Sequence, residues 1–414
     1  MKIVVNKHGR VPWLYIACIC IMIVYAMVPL LSRNGSLTVQ FAAMILAPVL
    51  VINSYFRING NERSIIFLII IYLLIETIYK LFGISSASID FYFTTVKFFW
   101  FYISFFPVKK YLSNSQKIVI IIVAGICFSY TLLTNLTYSQ TYDHYISMYQ
   151  RVSESNAANT AYASMTMLLV GCLYSKLFDT KNIALKIVCL VGVVFGGYYL
   201  IFIAERGIAF LLTVMLLILI TINVKSITNG RIIMISFAFV VFFFFVELGG
   251  LSILLNALSG LLPERLAQRL LWIDNVLNGG STMASSGTLS SRLNLSLVSI
   301  RTFVSNPGNF IWGVGDHRNS YDLIGNHSQW IDVFARYGIL CGILLNLLMY
   351  RLFKSERGYF QKNDYNYRMY SCLFLAFYLR GFLGNVIAPA IGAALFVIIP
   401  TVYSLKYSIN TEEG

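Results

Sequence analysis

The sequence predicts an all-α polytopic membrane protein, one domain spanning residues 1–414 with about a dozen transmembrane helices, and two observations carry the prediction. Of the 414 residues 58% are hydrophobic and only 12% are charged, which is more apolar surface than a soluble domain of this size can hide in a core. The apolar residues also fall into long blocks. A bilayer core about 30 Å thick requires about 20 consecutive apolar residues, each adding about 1.5 Å of helical rise. Backbone groups in hydrocarbon must be hydrogen-bonded within their own segment, so each block is expected to be helical.

The first block, Pro12 to Leu31, follows Lys2, Lys7 and Arg10. It is too long for a secretory signal and lacks a small-residue cleavage site, so it reads as a retained helix. Leu37 to Phe56 and Ser64 to Gly83 come next, then Phe91 to Val108, Ile118 to Leu136 and Thr160 to Phe178. Ile187 to Ala204 and Gly207 to Val224 form one apolar run, interrupted only by Glu205 and Arg206. Ile232 to Leu248 precedes a long polar stretch, after which Ser328 to Phe353, Met369 to Leu383 and Val386 to Leu405 close the chain.

A formal net charge of +14 raises the question of nucleic acid, but the basic residues are spread over short connections rather than gathered on one surface. They follow membrane topology instead. With alternate connections counted as cytoplasmic, one side receives Lys2, Lys7, Arg10, Arg57, Arg63, Lys109, Lys110, Lys117, Lys181, Lys186, Lys225, Arg231, Lys354, Arg357, Lys362 and Arg368. The opposite loops hold no lysine, only Arg33, Arg151, Arg206, Arg265, Arg269, Arg292, Arg301 and Arg318. Both termini are therefore expected on the cytoplasmic side. All seven cysteines lie in apolar blocks, which disfavours a disulfide framework or a thiolate metal site.

Two external connections are long enough to carry chemistry: Thr137 to Asn159, and the larger 249–327 loop. In the larger, Pro263 can open a surface helix with Leu266, Leu270, Ile273 and Leu277 at helical spacing, flanked by Arg265, Arg269 and Trp272. Ser290 or Ser291 can cap a second short helix with Leu293, Leu297, Ile300 and Val304, which Asn306-Pro307-Gly308 is expected to end. The chain has no G-x-x-x-x-G-K-[ST] phosphate loop and no glycine-rich nucleotide motif, which disfavours an ATP-driven pump.

Several polar residues interrupt the apolar pattern. Glu205-Arg206 sits between two apolar blocks, as a charged turn or as part of a cavity. Arg292 opens a helix, where a cation opposes the helix dipole, so it calls for an anion: Asp274, Asp316 or a ligand. The stretch from Gly313 through Asp316, His317, Arg318, Asp322 and His327 leads into Gln329, Asp332, Arg336 and Gly338. Asp332 and Arg336, four apart, can neutralise each other. The spacing of Asp316, His317, Asp322 and His327 matches no common zinc pattern. Within the blocks, Glu76 can pair with Lys80, while Lys97 is left for a phosphate ligand or for the interface.

This arrangement resembles the O-antigen and capsular polysaccharide polymerase family and the related O-antigen ligases. The resemblance covers about Phe195 to Met349 and rests on His327, Ser328 and a glycine eleven positions after the histidine, Gly338. Asn306-Pro307 followed by Gly313-Val314-Gly315 adds to it, as do Arg206-Gly207 and Ser291-Arg292. Two positions depart from the pattern: Glu205 stands where the family has serine, and Cys341 where it often has a second glycine.

The resemblance implies a GT-C-like glycosyltransferase that polymerises undecaprenyl-pyrophosphate-linked oligosaccharide at the outer face of the cytoplasmic membrane. Donor and acceptor are both lipid-linked, a chain-length regulator is a further partner, and no cofactor, metal or nucleic acid is called for. It carries the catalytic roles to His327, Arg206 and Arg292. Glu205, Arg301, Asp316, His317 and Gln329 stand beside them as substrate-binding candidates, with Arg206 and Arg292 holding phosphate. A guanidinium grips phosphate oxygens in a two-pronged contact, and an imidazole with an unperturbed pKa near 6.5 can accept a sugar hydroxyl proton. Two alternatives remain: a ligase acting on a lipopolysaccharide core, and a polysaccharide or lipid-linked sugar transporter, whose polar residues belong near the bilayer midplane.

Overall fold

The structure, a computed structural model, describes residues 11–28, 60–81, 89–141, 160–200, 207–224, 289–315, 323–325, 328–361 and 364–405. Among the described residues there is no strand. The helices are α1 Trp13–Met27, α2 Gly60–Leu81, α3 Ile89–Phe105, α4 Asn114–Thr141, α5 Thr160–Asp179, α6 Ile183–Tyr198 and α7 Gly207–Asn223. After these come α8 Leu289–Val304, α9 Pro307–Trp312, α10 Gln329–Arg357, α11 Tyr365–Phe382 and α12 Pro389–Ser404. Three segments, Asn114–Thr134, Ala161–Asp179 and Gln329–Arg357, are long and apolar enough to cross a membrane. The expected helices Leu37 to Phe56, Ile232 to Leu248 and Pro263 to Leu277 lie outside the described residues, as does most of the 249–327 loop.

α12 is buried almost all round, as a helix apolar on every side must be, and packs against α1, α3 and α5. Phe98 and Tyr102 of α3 meet Phe396 of α12 edge to face at 5.3 and 5.5 Å. A π-helical turn at Ala394–Ile398 interrupts α12 in the middle of this contact. α6 is the opposite case. Ile183, Ile187, Val188, Leu190, Val191 and Val194 leave it as an exposed apolar face, which suits lipid and not water. Lipid tails are as apolar as these side chains, so the helices are held by close packing and hydrogen bonds rather than by exclusion from water.

One end of the bundle collects cations. Lys109, in a short 3-10 turn between α3 and α4, forms a 2.7 Å ion pair with Glu356 near the end of α10, the two side chains being 2% and 0% exposed. Phe106 and Tyr359 cover the ammonium at 4.0 and 4.7 Å from their ring centroids. Burial pushes Lys109 below its usual pKa range, against the pull of Glu356. Beside it Lys110 reaches Glu62 on α2 at 3.6 Å. Lys117 of α4 donates to the carbonyl of Ser404, and Arg368 of α11 donates to the carbonyls of Asn223 and Val224. These bonds bring together the starts of α2, α4 and α11 and the ends of α3, α7, α10 and α12, as an up-and-down bundle requires.

Four expectations change. α4 extends beyond Ile118 to Leu136 at both ends. α8 starts at Leu289, so Ser290 and Ser291 lie in its first turn and are not its cap. Asn306-Pro307-Gly308 does not simply stop a helix. Asn306 accepts a hydrogen bond from the Asn309 N–H and Pro307 supplies a fixed φ, so the same residues start α9. Finally, α10 is two helical pieces joined at Gly338, where φ is 75° and ψ −177°.

Candidate functional site at the mouth of helix α10

The Gly338 break follows from backbone chemistry. It frees the carbonyls of Ala335 and Arg336, and the Val314 and Gly315 N–H groups donate to them at 2.9 Å each. A Cβ on Gly338 would stand 2.0 Å from the Ile311 carbonyl oxygen, and one on Gly313 would stand 2.3 Å from that of Arg336. Both glycines have positive φ. The Gly-x-Gly turn and Gly338, 25 positions apart in sequence, are thus two halves of one backbone contact. The Tyr79 hydroxyl of α2 donates to the Trp312 carbonyl, and its ring meets Tyr337 edge to face at 5.2 Å. This anchors the contact to the bundle.

Next to it, Ser299 of α8 and Asp332 of α10 form a buried bracket. The Ser299 hydroxyl donates to Asp332 Oδ1 at 2.6 Å and accepts the Gly325 N–H at 2.9 Å, while Asp332 Oδ2 accepts the Ser328 N–H at 2.9 Å. Gly325 and Ser328 flank Asn326 and His327, so the backbone is held on both sides of the histidine. Ser328 also caps α10, accepting the Ile331 N–H at 3.3 Å and donating to the Gly381 carbonyl at 3.4 Å. Asp332 therefore serves the loop, with partners that the expected pairing with Arg336 did not include.

The candidate residues are only partly within view. His327, Arg206, Glu205, Asp316 and His317 lie outside the described residues. Arg292 belongs to α8, two turns ahead of Ser299, and its side chain also lies outside them. Arg301, in the last turn of α8, is exposed. Gln329 is buried: its N–H donates to the Gly384 carbonyl at 3.4 Å and its Oε1 accepts the Ile387 N–H at 3.5 Å. Lys97 donates to the Tyr25 hydroxyl at 3.0 Å and lies 5.0 Å from that ring's centroid. Glu76 hydrogen-bonds Tyr72, one turn earlier on α2, and the Lys80 side chain lies outside the described residues.

Sequence reasoning missed Ser299, the bracketing role of Asp332, and Arg380. Arg380 is 1% exposed and stands in the last turn of α11, beside the α10 mouth. A signal was present: an arginine inside the apolar block Met369 to Leu383 is costly to bury and needs a reason.

The described elements are all helical, and three of the helices are long and apolar enough to cross a membrane, which is consistent with a helical membrane protein. No model of a known protein family matches the chain, and no curated protein matches it in sequence.

Proposed function

We propose that the chain polymerises undecaprenyl-pyrophosphate-linked oligosaccharide repeat units into O-antigen or capsular polysaccharide at the outer face of the cytoplasmic membrane. The observation that carries this reading is the bracket in which Ser299 and Asp332 hold Gly325 and Ser328, beside the contact between Gly313-Val314-Gly315 and Gly338. Of the residues that resembled a motif in sequence, the Gly313-Val314-Gly315 turn packs against the chain at Gly338. In this reading about a dozen helices span the bilayer, both termini are cytoplasmic, and the Lys109 end of the bundle faces the cytoplasm. The α10 mouth then faces outward, where lipid-linked glycan is presented.

In the reaction, an acceptor sugar hydroxyl attacks the anomeric carbon of the donor. The new C–O bond forms as the bond to the pyrophosphate oxygen breaks, with inversion at carbon. Neutral His327 takes the hydroxyl proton, and undecaprenyl pyrophosphate departs. Arg206 and Arg292 hold the developing charge on the leaving phosphate by paired N–H contacts, so no metal is called for.

In cells that make the polymer, His327→Ala, Arg206→Ala and Arg292→Ala should each leave single repeat units in place of long chains, with the protein still in the membrane. Normal chain lengths from the His327→Ala protein would overturn the base assignment. If purified protein transfers glycan to a lipopolysaccharide core and not to its own repeat unit, it is a ligase.

A further inference from the structure

Arg380 lies in the segment that closes the α10 mouth from behind. The last turn of α11 and the residues after it are tied directly to the positions following His327. Ser328 Oγ donates to the Gly381 carbonyl, the Gln329 N–H to that of Gly384, and Trp330 Nε1 to that of Tyr378 at 2.7 Å. The Trp330 ring also stacks on Tyr378, with centroids 5.0 Å apart. From Leu383 to Ala388 the chain is not helical, yet Gly384, Val386, Ile387 and Ala388 are buried. Irregular backbone inside a membrane bundle is tolerated where it is buried in protein or lines a cavity, and in transporters such breaks hold the ligand.

The guanidinium is seated in that irregular segment. A Cβ on Gly384 would stand 2.2 Å from Arg380 Nη1 and 2.9 Å from both Cζ and Nη2, so glycine is what leaves room for the planar head. Because Gly384 also accepts the Gln329 N–H, the guanidinium and the residue two after His327 meet on one peptide unit. Arginine suits phosphate there for a specific reason. It stays charged when buried, is more weakly hydrated than an ammonium, and presents parallel N–H groups that match two phosphate oxygens.

We propose that Arg380 is a phosphate-binding residue of this site, contacting the pyrophosphate of the lipid-linked substrate from the α11 side. The inference rests on the function proposed above and adds to Arg206 and Arg292 a third arginine, from the second half of the bundle. A purely structural Arg380 would hold α11 against α10 whatever lipid was bound; a phosphate-binding one discriminates between lipids that differ only in their headgroup.

The test measures binding of undecaprenyl pyrophosphate, with undecaprenol as the headgroup-free control, to the full chain purified in lipid nanodiscs. Wild type should prefer the pyrophosphate. Arg380→Gln should bind it more weakly by about tenfold or more, with undecaprenol binding unchanged. Arg380→Lys should fall between the two, since it keeps the charge and loses the fork. Gly384→Ala retains the arginine but displaces its head, and should reproduce the Arg380→Gln loss; it decides the matter if Arg380→Gln does not fold. Undiminished pyrophosphate preference in Gly384→Ala and Arg380→Lys, or equal losses for both lipids, would overturn the inference while leaving the wild-type preference, and with it the proposed function, in place. A wild-type protein that does not distinguish the two lipids would overturn the proposed function, and this inference with it.

Discussion

At the scale of single residues, Asp332 controls the candidate site without being a candidate for its chemistry. It is 2% exposed, and its two oxygens hold Ser299 and the Ser328 N–H. Asp332→Ala leaves that buried N–H and the Ser299 hydroxyl without their acceptor, which costs about 1–3 kcal/mol for each group so orphaned. The expected result is a lowered unfolding midpoint in detergent together with loss of polymer. Ser299→Ala leaves the Gly325 N–H without its acceptor and Asp332 Oδ1 without its donor, and should lower both measures as well. Because the two side chains touch, their effects should not add, and a double-mutant cycle reads the coupling directly. In the sequence Asp332 was visible as a carboxylate one helical turn from Arg336, and the pairing that spacing suggests is the nearest local solution. Its bond to Ser299, 33 positions away, crosses a loop that no periodicity can bridge.

At the scale of elements, α10 shows where hydropathy stops being informative. The apolar pattern runs through Gly338 without interruption, and the sequence reads as one helix from Ser328 to Phe353; the chain instead breaks at Gly338 to meet the Gly313 turn. A glycine inside a helix is legible, but the carbonyl that approaches it comes from α9 and is not. α9 was hidden for a related reason: Asn-Pro-Gly serves equally as a stop or as a cap followed by a first-turn proline, and only the Asn306 to Asn309 bond decides. α5 and α7, bounded by Thr160 and Gly207, matched closely because their apolar blocks begin where polar chain ends. Gly338→Ala should be far more damaging than a glycine-to-alanine change in an ordinary helix. The added methyl meets backbone at 2.0 Å, in a φ/ψ region essentially reserved for glycine that costs another residue about 1–3 kcal/mol even in open space. The expected readout is loss of polymer, with protease cleavage appearing between α9 and α10. Gly60→Ala, where a Cβ meets nothing within 4 Å, serves as the neutral control.

For the whole molecule, Lys109, Lys110 and Lys117, from the turn between α3 and α4 and the start of α4, lie with Arg368 at one end of the bundle. Sidedness is testable with single cysteines in a chain lacking its own. Lys110→Cys and Leu323→Cys occupy exposed positions at opposite ends and should react with a membrane-impermeant thiol reagent from opposite sides of sealed vesicles. Reaction from the same side would overturn the proposed topology. At the cation end, the Lys109–Glu356 pair holds α10 to the α3–α4 connection. Lys109→Met leaves a buried carboxylate and should cost about 3–5 kcal/mol, seen as a drop in the unfolding midpoint. Adding Glu356→Met should recover most of that loss, because replacing both charges by apolar groups of similar volume is often nearly neutral.

The break at Gly338 also sets a depth. Past it, α10 continues from Ile339 to Arg357, a length of about 28 Å at about 1.5 Å per residue, close to the thickness of a hydrocarbon layer about 30 Å across. With the Arg357 end at one boundary of that layer, Gly338 falls at the other. The piece from Gln329 to Tyr337, with the 383–388 segment bonded to it, then lies at the boundary between the oily interior and the headgroups. In the proposed function, a carrier lipid whose chain is dissolved in the layer would carry its phosphates at that same height. Under that proposal the glycine that ends the span works as a depth gauge, setting the level at which protein and headgroup meet.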